Sequence, residues 1–162
     1  MKRSNELETT AYHEAGHAVL AWKIALGKPK IVSIEAEDSS GLTSIEYYVE
    51  ADSDSLSSSE FRKQVEGRCI GLLAGVEAEV KFTGELVHPD NNKSDRDSIL
   101  RKLELICSST NEIQNCINFL EETTANLVDE YWPIVTALAE ALLERKTIEG
   151  KELIEIMEAH DS

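Results

Sequence analysis

The stretch Ala11-Tyr12-His13-Glu14-Ala15-Gly16-His17-Ala18-Val19-Leu20 contains two histidines four residues apart, with a glutamate directly after the first. On an α-helix, residues four apart lie one turn above each other, so His13 and His17 point in the same direction. Two imidazoles at this spacing can bind one Zn²⁺ at about 2.0–2.1 Å each. Glu14 lies beside them, where a carboxylate can accept a proton from the water that such a metal activates. The pattern is typical of a zinc peptidase.

The residues around this motif predict a helix that is buried on nearly every side. At about 100° per residue, small and apolar residues form one stripe along it: Leu7, Ala11, Ala15, Ala18, Trp22, Ala25 and Leu26. His13 and His17 fall on the opposite side beside Leu20 and Ile24, so only a narrow arc is left for water. Buried histidines need partners for their ring nitrogens. A bound metal ion is the simplest such partner.

Length and composition indicate one soluble domain over residues 1–162. The longest apolar run, 18–26, is interrupted by Lys23 and is too short to span a bilayer, and the N-terminus has no apolar signal-peptide segment. We therefore expect no membrane segment and a cytoplasmic location. Three cysteines without close spacing fit reduced thiols. Each lies in a helical apolar pattern that predicts buried packing: Cys69, Cys107 and Cys116.

The net charge of −15 limits the partners of the chain. It argues against nucleic acid and anionic membrane surfaces, which attract basic proteins. It favours neutral or basic substrates, although an acidic surface is more often only a solvated one.

Periodicity predicts a mainly α protein (α+β) of about six helices, with a small β-hairpin or sheet next to the metal helix. Two strands are predicted over residues 30–36 and 42–49, which are rich in Ile, Val, Thr and Tyr and flank a turn at 37–41. An extended substrate could add to the unpaired edge of such a sheet as one more strand. A hairpin that only covers the core is an equally good interpretation.

Capping residues predict where the helices begin. The first helix is predicted to begin at Ser4 or Asn5, with Glu8 completing a capping box, and the second at Ser57, with Glu60 in the same role. A third begins at Ser94 or Asp95, and Asp129 is predicted to cap a later helix that has Pro133 in its first turn. The first helix should end before Gly27, and the last amphipathic segment should begin at Thr147.

Glycines recur every four residues in the second long helix, at Gly67, Gly71 and Gly75. Each costs about 0.8–1 kcal/mol in a helix interior relative to alanine, so the row calls for a packing reason. A row of glycines forms a groove that another backbone can approach closely. We predict that the alanine stripe of the first helix packs into this groove.

A catalytic zinc site normally has three protein ligands and one water, so a third ligand must come from a distant part of the chain. The residues themselves leave five candidates: Asp95, Asp97, His88, Glu77 and Glu79. Sequence spacing does not choose among them. Asp95 at a helix start is by itself more often a cap than a ligand.

Four stretches, in the same order, resemble the protease domain of the FtsH family of ATP-dependent zinc metalloproteases. They are Thr-Ala-Tyr-His-Glu-Ala-Gly-His-Ala-Val (10–19), Leu-Ala-Gly-Val-Glu-Ala-Glu-Val-Lys-Phe-Thr-Gly-Glu (73–85), Ser-Asp-Arg-Asp-Ser-Ile (94–99) and Leu-Ala-Glu-Ala-Leu-Leu-Glu-Arg-Lys-Thr-Ile-Glu-Gly-Lys-Glu-Leu (138–153). Together they cover nearly the whole chain. The last stretch weighs most, because a chance His-Glu-x-x-His would not bring it along.

The resemblance implies a zinc-dependent endopeptidase-like hydrolase that acts on peptides or unfolded proteins. It implies His13, His17 and Asp95 as the zinc ligands, because the family's third ligand is an aspartate of a Ser-Asn-Asp-like segment at the head of a helix. Asp97 is the second choice for that ligand. Glu14 is the implied base. A family glutamate close to the site, but not a ligand, corresponds to Glu79.

The chain also departs from the family. The Gly-Ala-Ser that precedes the family's aspartate is replaced by a loop about two residues longer, with Asp-Asn-Asn-Lys at 90–93. The family's ATPase module and membrane anchor are not among these 162 residues, and no Gly-x-x-x-x-Gly-Lys-Ser/Thr loop is present for ATP hydrolysis. Since the chain opens with Met1 and ends soon after the family-like region, we expect a stand-alone peptidase rather than a fragment.

Other interpretations share the fold. The domain could be a non-catalytic metal-binding or metal-free interaction module, although such a module does not need Glu14. It could also be a regulatory peptidase specific for one protein partner. Two histidines and one carboxylate can hold Fe(II) as well. The sequence leaves open a homo-oligomer, of the kind formed by the family's ring-forming domains, and a separate ATPase partner.

Overall fold

The computed structural model describes residues 2–35, 41–50, 56–85 and 93–161, with side chains from Glu6 onward. These residues form six helices and three strands. In chain order the elements are α1 (Lys2–Lys23), β1 (Gly27–Ser33), β2 (Leu42–Tyr47), α2 (Ser58–Thr83), α3 (Lys93–Glu104), α4 (Thr110–Glu130), α5 (Trp132–Arg145), β3 (Thr147–Glu149) and α6 (Gly150–Ala159). The predicted mainly α class with a small sheet is confirmed.

Helix α1 is the central element of the molecule. Ala11 and Ala15 on one side, and Leu20 on the other, are completely buried. The helix packs against α2, α5, β1 and β2, which confirms the prediction of a helix covered on nearly every side. It begins at Lys2, earlier than the predicted start at Ser4 or Asn5. The side chains of that first turn, and with them the predicted cap, lie outside the described residues.

The sheet is antiparallel, with strand order β2-β1-β3. The two predicted strands are present, although β1 begins three residues before the predicted position and most of the predicted turn lies outside the described residues. The prediction that Thr147 starts the last helix is wrong, because residues 147–149 pair with 31–33 as strand β3. Helix α6 begins only at Gly150, whose φ of 64° turns the chain out of the strand.

The predicted helix starts have mixed outcomes. The capping box of α2 is confirmed: the Glu60 backbone N–H donates to Ser57 Oγ, and the Ser57 backbone N–H donates to the Glu60 carboxylate, each at 3.2 Å. Pro133 lies in the first turn of α5 as predicted, but Asp129 does not cap that helix. Asp129 lies inside α4 and pairs instead with Lys81 Nζ at 2.8 Å.

The start predicted for α3 is also displaced. Ser94 and Asp95 lie within the first turn of α3, which begins at Lys93, so neither is the residue that precedes the helix. This leaves the Asp95 carboxylate available for a role other than capping.

The apolar core falls into two clusters, and α2 contributes to both. The larger cluster joins α1, α5, α6 and the sheet, and includes Leu20, Leu138 and Leu153. The smaller cluster joins the first half of α2 with α3 and α4, and includes Leu103 and Leu120. As a result, α1 and α3 belong to different clusters that meet along α2.

The smaller cluster holds the cysteines, all of which are free thiols. Cys69 and Cys116 are buried as predicted, whereas Cys107 is only partly buried. Burial raises the pKa of the Cys69 thiol to about 12, so this cysteine is an inert packing residue at neutral pH. Within the described segments, no helix combines the length and apolar character needed to cross a membrane.

Candidate metal centre

Helices α1 and α2 cross at the histidine motif. A Cβ added to Gly16 would lie 2.6 Å from the Ala74 carbonyl oxygen and 2.9 Å from Ala78 Cβ. A Cβ added to Gly75 would lie 2.6 Å from two ring atoms of His17 and 2.8 Å from His13 Nε2. The two helices therefore approach so closely at these positions that only glycine fits.

The predicted crossing of α1 and α2 is present, but the prediction that the alanine stripe of α1 packs into the glycine row is wrong. Gly75 of that row faces the two imidazoles, whereas Cβ atoms added to Gly67 and Gly71 would lie nearest to Leu26. The Gly71 carbonyl oxygen accepts from His17 Nδ1. The stripe itself is buried in the larger apolar cluster, which includes residues of α5. Glycine is needed at position 75 because imidazole rings, rather than a neighbouring backbone, occupy the space beside it.

Three ligand atoms converge at this crossing. The Nε2 atoms of His13 and His17 are 2.9 Å apart. Asp95 Oδ2, from the first turn of α3, lies 3.2 Å from His13 Nε2 and 3.3 Å from His17 Nε2. The structure thus brings together the two histidines of the motif and one acidic residue that is 82 positions away from His13 in sequence.

The outer ring nitrogens show which way each imidazole is protonated. His17 Nδ1 donates to the Gly71 carbonyl oxygen at 2.7 Å, and His13 Nδ1 donates to the Glu79 carboxylate. A carbonyl and an ionised carboxylate only accept hydrogen bonds, so in the neutral rings both Nδ1 atoms carry the hydrogen. Both Nε2 atoms then present lone pairs to the point where Asp95 Oδ2 also lies. This is the arrangement by which metal-binding histidines are oriented.

The spacing of the three atoms fits one tetrahedral metal ion. Ligand atoms at about 2.0–2.1 Å from zinc in tetrahedral geometry lie about 3.3 Å from one another, and the observed separations are 2.9, 3.2 and 3.3 Å. Three such atoms held this close repel one another unless a proton or a metal ion lies between them. His13, Glu14 and His17 also offer ligand atoms that are all within 4.8 Å of each other. These residues could hold a metal ion.

The local charges favour a cation at the same point. Burial alone would lower the pKa of His13, but the hydrogen bonds with Asp95 and Glu79 outweigh it and raise that pKa to about 10. Burial would raise the pKa of Asp95, but its hydrogen bonds with His13 and His17 hold it well below its ordinary value. The acidic groups around the imidazoles therefore stabilise positive charge there, whether a proton or a metal ion carries it.

Glu14 is held beside the three converging atoms and is itself buried. Thr43 Oγ1, on β2, donates to Glu14 Oε1 at 2.6 Å, and Glu14 Oε2 lies 4.0 Å from His13 Nε2. Gly41 leaves the room that this carboxylate occupies, since a Cβ there would lie 2.2 Å from Glu14 Cγ. Asp95 lies closer to the imidazole nitrogens than Glu14 does, so the geometry groups Asp95, rather than Glu14, with the two histidines.

The other candidate ligands lie elsewhere. Asp97 has a 41% exposed side chain that accepts from Lys93 Nζ at 2.6 Å. Glu77 faces α4, where burial and two acidic residues of that helix raise its pKa. Glu79 contacts the outer nitrogen of His13 rather than the convergence point, and His88 lies outside the described residues.

A cleft of about 330 Å³ opens beside the site, between α1, α2 and β2. Its walls combine the site residues with apolar side chains and one cation: Ala21, Leu26, Ile45, Tyr47, Leu72 and Arg68. In this sheet β2 is an edge strand. A cleft of this size, with an edge strand in its wall, can accept an extended chain with one bound side chain.

Sequence reasoning missed Thr43 and Gly41. Thr43 was part of a predicted strand, but its contact with Glu14 depends on where β2 lies against α1. Gly41 was assigned to a turn, for which glycine needs no further reason. No pattern in the sequence connected either residue with α1.

No model of a known protein family matches the chain, and no curated protein matches it either. The roles of the site residues therefore depend on the geometry described above and on the chemistry of their side chains.

Proposed function

We propose that this chain is a zinc-dependent, endopeptidase-like hydrolase that acts on peptides or unfolded proteins. The observation that carries the proposal is the convergence of His13 Nε2, His17 Nε2 and Asp95 Oδ2 on one point, with Glu14 held beside it. The two histidines and Asp95 would hold the ion. Two imidazoles and one carboxylate form a ligand set of catalytic zinc sites, and zinc supplies a Lewis acid for peptide hydrolysis.

Glu14 is the general base in this proposal. It accepts a proton from the attacking water as the new C–O bond forms, and it returns that proton to the leaving amine as the C–N bond breaks. Thr43 orients the carboxylate by its hydrogen bond to Oε1, which leaves Oε2 directed toward the site. Burial of Glu14 shields the proton transfer from bulk water.

The substrate in this proposal is an extended chain. Strand β2 is an edge strand of the described sheet and contributes Thr43, Ile45 and Tyr47 to the cleft wall. In this proposal a substrate backbone pairs along β2, while the apolar wall accepts one of its side chains. A folded protein does not offer an extended backbone to such an edge, so peptides and unfolded chains are the substrates. This proposal agrees with the resemblance of the chain to the protease domain of the FtsH family. The same resemblance is the reason to look for a separate ATPase partner and for a homo-oligomer.

The proposal is tested with Glu14→Gln, which keeps the shape of the side chain but removes the base. We expect wild-type protein with one zinc per chain to cleave unfolded casein, and the variant to bind zinc equally but to cleave at least 100-fold more slowly. Equal cleavage by both forms would contradict the role of Glu14. Zinc binding without cleavage of casein or a diverse peptide mixture by the wild type would favour the metal-binding module instead.

A further inference from the structure

Arg68 lies in the wall of the same cleft, toward the end of β2. Its Nη2 donates to the Val49 carbonyl oxygen at 2.9 Å, and its guanidinium carbon lies 3.8 Å from the centroid of the Tyr47 ring. The side chain is partly buried. A carbonyl and an aromatic face hold the guanidinium in place against β2, and neither neutralises its charge.

The charge of Arg68 has no acidic partner in the part of the chain that the structure describes: none of the described carboxylates lies within 4.0 Å of it. Its buried Nε–H has no hydrogen-bond partner among the described residues. A partly buried guanidinium without an acidic partner is a strong binding site for a carboxylate, because the two planar groups form charge-assisted hydrogen bonds. The cleft that Arg68 lines is open to solvent.

Two independent measures place Arg68 relative to the site. On α2, Arg68 lies seven residues before Gly75, which touches both imidazoles; this corresponds to about 10 Å along the helix. On β2, Tyr47 lies four residues after Thr43, which holds Glu14; this corresponds to about 13 Å along the strand. An extended peptide covers about 3.3 Å per residue, so both distances equal three to four residues of substrate.

We infer that Arg68 selects substrates with an acidic side chain, Asp or Glu, three or four residues from the scissile bond. This inference rests on the proposed function for the location of the scissile bond. Between Arg68 and the histidine site the cleft is lined by apolar residues, namely Leu26, Ile45 and Leu72. The substrate residues nearer the scissile bond are therefore apolar in this inference. The net charge of −15 would by itself favour basic substrates. That long-range field is screened within about 8 Å at physiological salt, whereas a direct contact is not.

The test uses unstructured peptides that differ at one position only, with Glu, Gln or Lys placed in turn at each site around a fixed apolar centre. Binding to the Glu14→Gln protein, which holds peptides without cleaving them, is measured by fluorescence anisotropy. Cleavage by the wild type is measured in parallel. We expect the Glu peptide to bind about tenfold or more tightly than the Gln peptide at one position, and the Lys peptide to bind most weakly.

Substitutions of Arg68 test whether the preference for the Glu peptide comes from its guanidinium group. In the Glu14→Gln background, Arg68→Gln should bind the Glu and Gln peptides equally, and Arg68→Glu should prefer the Lys peptide. The control is Arg62→Gln on the same helix, because Arg62 is exposed, pairs with Glu66 at 3.8 Å, and does not line this cleft. That variant should keep the full preference for Glu.

Equal binding of the Glu and Gln peptides at every position would overturn the inference, as would a preference for Lys. A preference for Glu that survives in Arg68→Gln would also overturn it. The peptide series needs no arginine variant, so it still tests the preference for an acidic side chain if Arg68→Gln fails to fold. A peptide that binds with the expected preference but is not cleaved by zinc-loaded wild type would overturn the proposed hydrolysis and leave the role of Arg68 standing.

Discussion

The Nδ1–H of His13 is donated to the Glu79 carboxylate, and this hydrogen bond fixes which ring nitrogen faces the site. Replacing Glu79 by Gln leaves an uncharged acceptor of similar shape. We expect the zinc affinity of Glu79→Gln to fall about 10–100-fold, as measured by competition with a chromogenic chelator. Glu77→Gln is the matched control, since Glu77 lies on the same helix but faces α4. Equal affinities in both variants and the wild type would show that Glu79 does not orient the ligand.

Thr43 has a different place at the same site, because it contacts Glu14, the proposed base, rather than one of the proposed metal ligands. Thr43→Val removes the hydroxyl group that donates to Glu14 Oε1 and keeps the side-chain volume. A hydrogen bond to a charged group contributes about 1.5–3 kcal/mol, so we expect kcat to fall about tenfold or more with zinc content unchanged. Thr43→Ser should restore most of the rate. A loss of zinc in Thr43→Val would assign Thr43 to metal binding instead.

The residues of the site differ in how far the sequence predicted them. His13, Glu14 and His17 are local in sequence, and the helical repeat alone places the histidines together. Asp95 was one of five candidates until the resemblance favoured it, because a contact across 82 residues depends on how α3 lies against α1. Arg68 belongs to no recognisable sequence motif, and its place in the cleft follows only from the packing of β2 on α2.

Gly75 shows how one element adapts to another. Alanine at an interior helix position is normally more stable than glycine by about 0.8–1 kcal/mol. We expect Gly75→Ala to gain no such stability and to lose zinc binding, because the new Cβ would lie 2.6 Å from the His17 ring. The matched variant Gly71→Ala places its Cβ at 3.5 Å from a Leu26 methyl group, an ordinary contact. That variant should keep zinc and have a raised Tm.

Titration of both glycine variants with zinc, followed by thermal unfolding, checks this prediction. Full zinc affinity in Gly75→Ala would mean that the helices can separate without disturbing the site. Loss of zinc in Gly71→Ala would mean that the whole glycine row, rather than Gly75 alone, is required.

The elements also separate into those that a sequence can and cannot predict. The long helices have apolar periods of many residues, and the capping box at Ser57 marks one start unambiguously. Strand β3 has only three residues, too few for a period, and it exists because β1 offers it backbone partners. The glycine row was recognised but given the wrong partner, since the sequence shows that space is needed and not which group fills it.

At the level of the whole molecule, the site connects the two apolar clusters. His13 and His17 lie on α1, which belongs to the larger cluster, whereas Asp95 lies on α3, whose inward residues belong to the smaller one. Leu103 of α3 and Leu138 of α5 are both completely buried, and truncating either to alanine costs about 2–5 kcal/mol of unfolding free energy. Of these two changes, only Leu103→Ala should disturb Asp95, the proposed third ligand.

We therefore expect Leu103→Ala to weaken zinc binding more than Leu138→Ala does, at a temperature where both variants remain folded by circular dichroism. Isothermal titration with zinc gives the two affinities. If both variants bind zinc as tightly as the wild type, the position of Asp95 does not depend on the smaller cluster.

The central claim, a metal site of two histidines and one distant aspartate, is tested most directly by the zinc content of purified protein. The measurement is inductively coupled plasma mass spectrometry after equilibration with a small excess of zinc and removal of free metal, for the wild type and Asp95→Ala. We expect one zinc per chain in the wild type and a large loss in Asp95→Ala, with Asp97→Ala unchanged. A wild type without zinc, or an Asp95→Ala protein that retains one zinc per chain, would contradict it.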